Sequence, residues 1–337
     1  MAALLEMTDA GLYCAVGDFF VDPWKPVERA VVTHAHSDHA RRDCGRYLAA
    51  AEGEGVLRTR LGAGAQIRTL PYGEALTING VSVSFHPAGH ILGSAQVRVE
   101  HLGEVWVVSG DYKTEPDPTC TPFELVTCHT FISEATFGLP IYRWPRREVI
   151  FAQINEWWRA NQAAGICSVL YGYALGKAQR LLAGVDRSIG PIFTHGAVER
   201  LNADYRAAGI DLPETVNALE APAATDWSQA LVVAPPSADG TPWLRRFGDL
   251  STGFASGWMQ VRGQRRRRSL DRGFVLSDHV DWPALMQTIQ STGAQRVLVT
   301  HGYVPVVVRY LREQGIDAYA LATHFAGEVD TGDDEET

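Results

Sequence analysis

The chain has 337 residues, 46% of them hydrophobic and 20% charged, a balance that buries a large core and leaves a well-solvated surface. Its 39 acidic against 30 basic side chains give a formal charge of -9, which excludes a general polyanion binder and confines any nucleic-acid contact to a local patch. No run approaches the roughly 18 apolar residues of a membrane span, residues 1–11 lack the basic start and apolar stretch of a secretory signal, and the five cysteines show no C-x-x-C spacing, so a cytoplasmic protein with reduced thiols and no membrane is expected.

Short strands are predicted at residues 12–14 and 19–21, around the turn Gly17-Asp18. Asp22 closes the second, either as an Asx turn before Pro23 or as a carboxylate that orients a ligating histidine or a bound water. Residues 31–33 form a buried strand that runs into His34-Ala35-His36-Ser37-Asp38-His39, and a helix is expected over 41–51. Three imidazoles and a carboxylate in six positions suit a borderline metal such as zinc. His34 and His36 face the same way and can hold one ion, while Asp38 and His39 are offset and can hold another.

Extended segments are expected next at 56–60, 66–70 and 75–78. Asn79-Gly80 then signals a hairpin into the alternating run 81–85, giving an antiparallel sheet with one buried face. That strand delivers Pro87-Ala88-Gly89-His90, where His90 would complete the first ligand set; His86, on the same strand, is structural or orienting. A second hairpin, 97–99 with 105–108, turns at Leu102-Gly103, with His101 solvated at its tip. It ends in Ser109-Gly110-Asp111-Tyr112, and an Asp at the end of a buried strand can bridge two cations. Glu134, another acid at a strand end, reads on its own as a cap or turn residue.

From about residue 142 strands alternate with helices: helix 148–164, strand 166–170, helix 176–184, strand 191–194, helix 197–208 and strand 231–234, which argues for a small parallel α/β unit. His195 ends one of those strands as a capped surface histidine, and 213–237 is expected to loop across the surface. His279 and His301 each stand just past an apolar strand, with a helix over 281–292 between them, which points His301 to the rim that carries His34. Residues 328–337 hold six acids and read as a disordered tail.

With these residues assembled, the chain resembles the metallo-β-lactamase superfamily and, within it, the β-CASP nucleases. Asp22, the His34-x-His36-x-Asp38-His39 run, His90 in P-A-G-H-x-x-G-S and Asp111 in S-G-D-Y are similar to the first four family motifs, and Glu134, His279 and His301 to the three that mark β-CASP members. The wording of Tyr173-Ala174-Leu175-Gly176-Lys177-Ala178-Gln179 and Gly257-Trp258-Met259-Gln260-Val261-Arg262-Gly263 is similar to the bacterial ligase-associated DNA exonuclease group. The resemblance implies an α/β fold, an αββα sandwich over 1–138 that resumes at 271–327, with an inserted α/β β-CASP domain over 139–270.

It also implies two zinc ions, with manganese as an alternative. His34, His36, His90 and Asp111 would hold one, and Asp38, His39, Asp111 and His301 the other, with Asp22 in support. His279 would protonate the leaving sugar oxygen, oriented by Glu134. Beside such a site Arg265, Arg266, Arg267 and Arg268 are expected to grip backbone phosphates, with Lys177 as a further contact. The expected activity is hydrolysis of nucleic acid, foremost as a DNA exonuclease in repair acting alongside a DNA ligase and a helicase. The insert is short and no RNA-binding domain follows, which sets RNA processing second. A non-catalytic nucleic-acid-binding subunit would require an inert centre although every ligand is present. A lactam or thioester hydrolase would lack the Glu134, His279 and insert combination.

Overall fold

The computed structural model describes residues 3–261 and 270–321. The chain forms two compact units, one running up to Arg143 and resuming at His279, the other spanning Trp144–Asp278. These borders lie a few residues beyond the 138 and 270 read from the sequence.

In the first unit one sheet lays its six strands side by side in chain order: Glu6–Thr8, Gly11–Cys14, Phe19–Val21, Arg29–Val31, Arg46–Ala50 and Ile67–Leu70. The first three are antiparallel and the rest parallel. The second sheet has seven strands in the order Asp317–Ala320, Arg296–Thr300, Thr130–Glu134, Glu104–Val108, Ala95–His101, Val81–Pro87 and Ala75–Ile78. Its first four are parallel, so the segments that come after Val108, Glu134 and Thr300 leave from one rim. Glu134 pairs in register with Thr300 although the whole second unit lies between them in the chain.

Alternation along the strands builds two cores. Trp106 and Val108 point into a cluster shared with Leu12, Val21, Val31 and Leu48 of the first sheet, while Val105 and Val107 join Phe131, Val297 and Val299 against the helices Trp282–Ser291 and Val304–Glu313. Two sheets face to face with helices outside are an αββα sandwich.

The second unit has one wholly parallel sheet, in the order Val216–Asn217, Ile192–Thr194, Leu231–Ala234, Cys167–Tyr171, Leu250–Ala255 and Arg272–Phe274, with helices Arg147–Ala164, Lys177–Gly184 and Gly196–Ala207. Its central strands, Cys167–Tyr171 and Leu231–Ala234, are buried at every position, as parallel strands covered on both faces must be.

Three expectations need correction. Where the sequence predicts a helix over 41–51, residues 40–45 make turns and Arg46–Ala50 is a buried parallel strand. Its short Tyr47-Leu48-Ala49-Ala50 run fits either period, and tertiary burial decides it. The segment 56–60 lies in the helix Glu54–Leu61, which links two parallel strands, so in this stretch antiparallel pairing begins only at the hairpin through Asn79-Gly80. The surface loop expected over 213–237 contains the short edge strand Val216–Asn217. All five cysteines are buried and free, and among the described residues no helix is long and apolar enough to cross a membrane.

Candidate metal centre

Every residue of the centre belongs to the first unit, and His34, His36, Asp38, His39, His90, Asp111 and His301 each follow the end of one of its strands. The loop after Arg29–Val31 carries His34, His36, Asp38 and His39, and closes on itself as the amides of His39 and Ala40 donate to the His36 carbonyl at 3.1 and 2.8 Å. His90 comes after Val81–Pro87 on a loop tied by Ser94, whose Oγ accepts from the amides of His90 and Ile91 at 3.0 and 3.1 Å. Gly89 is required there: its φ is +72° and a Cβ would stand 2.2 Å from the Lys113 carbonyl. His301 itself has φ +56°, a left-handed backbone that costs a non-glycine residue roughly 1 kcal/mol or more and that aims it back at the cluster.

The donor atoms fall into overlapping groups. His34, His36, His90 and Asp111 each offer one atom within 4.8 Å of the others; so do His39, Asp111 and His301, and likewise Asp111, Glu134 and His279. Asp111 belongs to all three. Its Oδ2 lies 3.6 Å from His34 Nε2, 3.5 Å from His39 Nε2 and 3.8 Å from His90 Nε2. His36 Nδ1 stands 3.1 Å from His34 Nε2 and 3.2 Å from His90 Nε2. Asp38 adjoins the second group, with Oδ2 3.6 Å from His39 Nε2.

Outer partners hold these side chains. Asp22 Oδ2 is 2.7 Å from His39 Nδ1, and Asp22 also accepts from the Thr33 amide at 2.8 Å and the Thr33 hydroxyl at 2.6 Å. Of the two readings of Asp22, the structure has the orienting carboxylate. Glu134 Oε2 is 2.9 Å from His279 Nδ1, and Glu134 Oε1 accepts from the Tyr112 amide at 2.8 Å.

Electrostatics sort the protonation states. Burial, with His39 and His36 beside it, holds His34 well below the usual histidine range, and burial with His39 lowers His301. Burial would lower His39 too, but Asp38, Asp111 and Asp22 outweigh it and hold that ring well above the range. Burial would raise Asp111, yet His39 and His279 keep its carboxyl well below the ordinary value. Around neutral pH Asp111 is therefore anionic and His34 and His301 are neutral, the forms that bind cations.

The cluster fits divalent ions. His39 Nε2 is buried with no hydrogen-bond partner, which would be costly unless a cation takes the place of its proton, and the donor set of imidazoles and carboxylates suits zinc or manganese.

Other expected residues lie elsewhere. Lys177 is 1% exposed and paired with Asp278 at 2.5 Å, so its ammonium group is committed inside the second unit rather than offered to a phosphate. Arg265, Arg266, Arg267 and Arg268 fall outside the described residues. His86 bonds Ser84 and Glu124, and His195 caps its helix by accepting from the Ala197 amide. Sequence reasoning passes over Thr33; its one signal is a hydroxyl residue directly before the histidine run.

An αββα sandwich with this histidine and aspartate cluster at one rim is a metallo-β-lactamase fold. No family model matches the chain. Among curated proteins it is similar to a probable DNA ligase of Opitutus terrae, 34% identical over 316 residues, which are 92% of this chain and 30% of that protein. An RNase J-like protein of Methanocaldococcus jannaschii is 25% identical over 233 residues, 59% of this chain and 54% of that one. The endoribonuclease YSH1 of Saccharomyces cerevisiae is 30% identical over 125 residues, 36% of this chain and 16% of the yeast protein. The chain thus spans about half or less of the length of these relatives. A crystal structure of a protein of unknown function from Enterococcus faecalis V583 shares the fold at TM-score 0.58 and 12% identity, over 89% of this chain and 80% of that one. The chain belongs to the metallo-β-lactamase superfamily and, within it, to the β-CASP branch.

Proposed function

We propose that this protein is a dinuclear zinc nuclease that hydrolyses phosphodiester bonds, with DNA as its substrate and exonucleolytic repair as its role. The observation that carries the reading is the single oxygen, Asp111 Oδ2, facing the Nε2 atoms of His34, His39 and His90 at 3.5–3.8 Å. His34, His36, His90 and Asp111 would hold one ion, and Asp38, His39, Asp111 and His301 the other. Bound there, two divalent ions would supply Lewis acidity to the scissile phosphate and acidify a water toward neutral pH.

The remaining chemistry falls to side chains already in place. Glu134 Oε2 accepts the Nδ1 proton of His279 at 2.9 Å, which fixes the ring and leaves Nε2 as the nitrogen that can pass a proton to the departing sugar oxygen. Glu134 is 2% exposed and anchored by the Tyr112 amide, so it keeps this orientation without help from solvent. Asp22 holds His39 in the same manner, at 2.7 Å from its Nδ1, with His39 Nε2 3.5 Å from Asp111.

Hydrolysis of nucleic acid is supported by the relatives named as an endoribonuclease and an RNase J-like protein. DNA, and cooperation with a ligase, are supported by the likeness to a probable DNA ligase over 92% of this chain, far more than the 36% matched to the yeast endoribonuclease. The ribonuclease names favour RNA as the second reading. The decisive experiment incubates zinc-loaded and manganese-loaded protein with end-labelled single- and double-stranded DNA and RNA. Stepwise shortening of DNA is expected; internal cuts confined to RNA would replace the DNA reading, and no cleavage of any strand would end both.

A further inference from the structure

The Thr33 hydroxyl touches the supports of both ligand groups. It lies 2.6 Å from Asp22 Oδ2, 3.0 Å from His34 Nδ1 and 3.4 Å from His39 Nδ1, in a side chain that is 1% exposed. A hydroxyl has one hydrogen to give. A carboxylate can only accept, so that hydrogen goes to Asp22, and the oxygen's lone pairs then face His34 Nδ1, which must be the donor. With Nδ1 committed to Thr33 as the donor, His34 is left with Nε2, 3.6 Å from Asp111 Oδ2, as the nitrogen to present to metal. The same carboxylate oxygen of Asp22 accepts from His39 Nδ1 at 2.7 Å, which leaves His39 Nε2 as the atom turned toward Asp111 and Asp38.

The hydroxyl is also held in place from outside. The Thr33 amide donates to Asp22 Oδ1 at 2.8 Å, and the Thr33 carbonyl accepts from the Ala95 amide at 2.8 Å. Gly110, which precedes Asp111 and has φ +55°, leaves the space it needs: a Cβ there would stand 2.7 Å from both Thr33 Cβ and Oγ1.

We propose that Thr33 is a positioning residue shared by both ion sites, its one hydroxyl setting which nitrogen of His34, and through Asp22 which nitrogen of His39, is presented to metal. The proposal rests on the metal reading above. Two changes separate hydrogen bonding from packing: the isosteric Thr33→Val keeps the shape and removes the hydroxyl, and Thr33→Ser keeps the hydroxyl and removes a methyl. Zinc affinity is measured by competition with a chromophoric chelator, and the histidine tautomers of the metal-free wild type by long-range proton–nitrogen NMR.

Thr33→Val is expected to weaken zinc at both sites by about 10–100-fold, the usual loss when a group that orients a ligand is removed, while Thr33→Ser stays near wild type. Wild-type affinity in Thr33→Val, a loss at one site only, or an equal loss in Thr33→Ser would overturn the proposal. Should Thr33→Val fail to fold, the wild-type spectrum still decides: His34 protonated on Nε2 would refute it, and on Nδ1 would support it. A wild type that takes up no zinc would overturn both this inference and the nuclease. The readout is zinc and tautomer, so a protein that binds two ions yet cuts no strand fails only as a nuclease.

Discussion

His279 Nδ1 stands 2.9 Å from Glu134 Oε2, although 145 positions separate the two residues in the chain and both are at least 98% buried. A carboxylate at that distance in a buried site holds one ring nitrogen as a donor and stabilises charge on the ring, which equips the other nitrogen to release a proton. Glu134→Gln keeps the shape and removes the charge. It is expected to lower kcat by about 10–100-fold, and His279→Ala by about 100–10,000-fold, the span that general acid catalysis covers, with both ions retained. Turnover of end-labelled DNA together with metal content by elemental analysis checks this. Unchanged kcat in either variant would remove proton donation by His279 from the mechanism.

The titration directions around His39 set a pH dependence for the metal-free protein. His39 is held above the ordinary histidine value of about 6.5, so the stability it contributes is fully present below that value and is lost as pH rises through its raised folded value. His34 and His301 are shifted the other way, so they cost stability as pH falls below about 6.5. Thermal melts of metal-free protein from about pH 5.5 to 9.5 are therefore expected to pass through a maximum near neutrality. The part of the alkaline decline that His39 supplies, below the ordinary thiol range of about 8.5 where the buried Cys14, Cys128 and Cys167 begin to cost stability, should vanish in the zinc-loaded protein, where an ion replaces the His39 proton. An alkaline limb of equal size with and without zinc would show that His39 does not exchange its proton for metal.

What can be read from the chain and what cannot divide along physical lines. His34, His36, Asp38 and His39 stand out because metal ligands demand rare residue types at tight spacing, and His90, Asp111 and His301 because each comes just after an apolar strand. The strand Arg46–Ala50 reads as helix in isolation because its two alanines and its Leu suit either period, and only its place between two parallel neighbours decides. Thr33 is silent because its role depends on where one hydroxyl points, which no spacing encodes. Lys177 misleads because a lysine at a helix start normally reaches solvent, and its partner Asp278 is distant in the chain.

That partnership makes the last prediction. In the second unit Asp278 Oδ1 lies 2.5 Å from Lys177 Nζ and 3.4 Å from an Arg180 nitrogen, all three side chains being 1% exposed. Lys177 also donates to the Leu276 carbonyl at 3.3 Å and Arg180 to the Ser277 carbonyl at 3.0 Å, so two cations clamp residues 276–278 from the helix Lys177–Gly184. Two buried positive charges tolerate each other only while the carboxylate is between them. Removing that carboxylate takes the shared counter-charge from both cations, whereas removing one cation leaves the other still paired with it. Asp278→Asn is expected to cost about 3–5 kcal/mol, the usual penalty for breaking a buried pair, and Lys177→Met distinctly less, because Arg180 still answers Asp278. Denaturant unfolding of the wild type and the two variants ranks them. If Lys177→Met proved the more damaging, Lys177 would be serving through its contact with the Leu276 carbonyl, and the ion pair would be secondary.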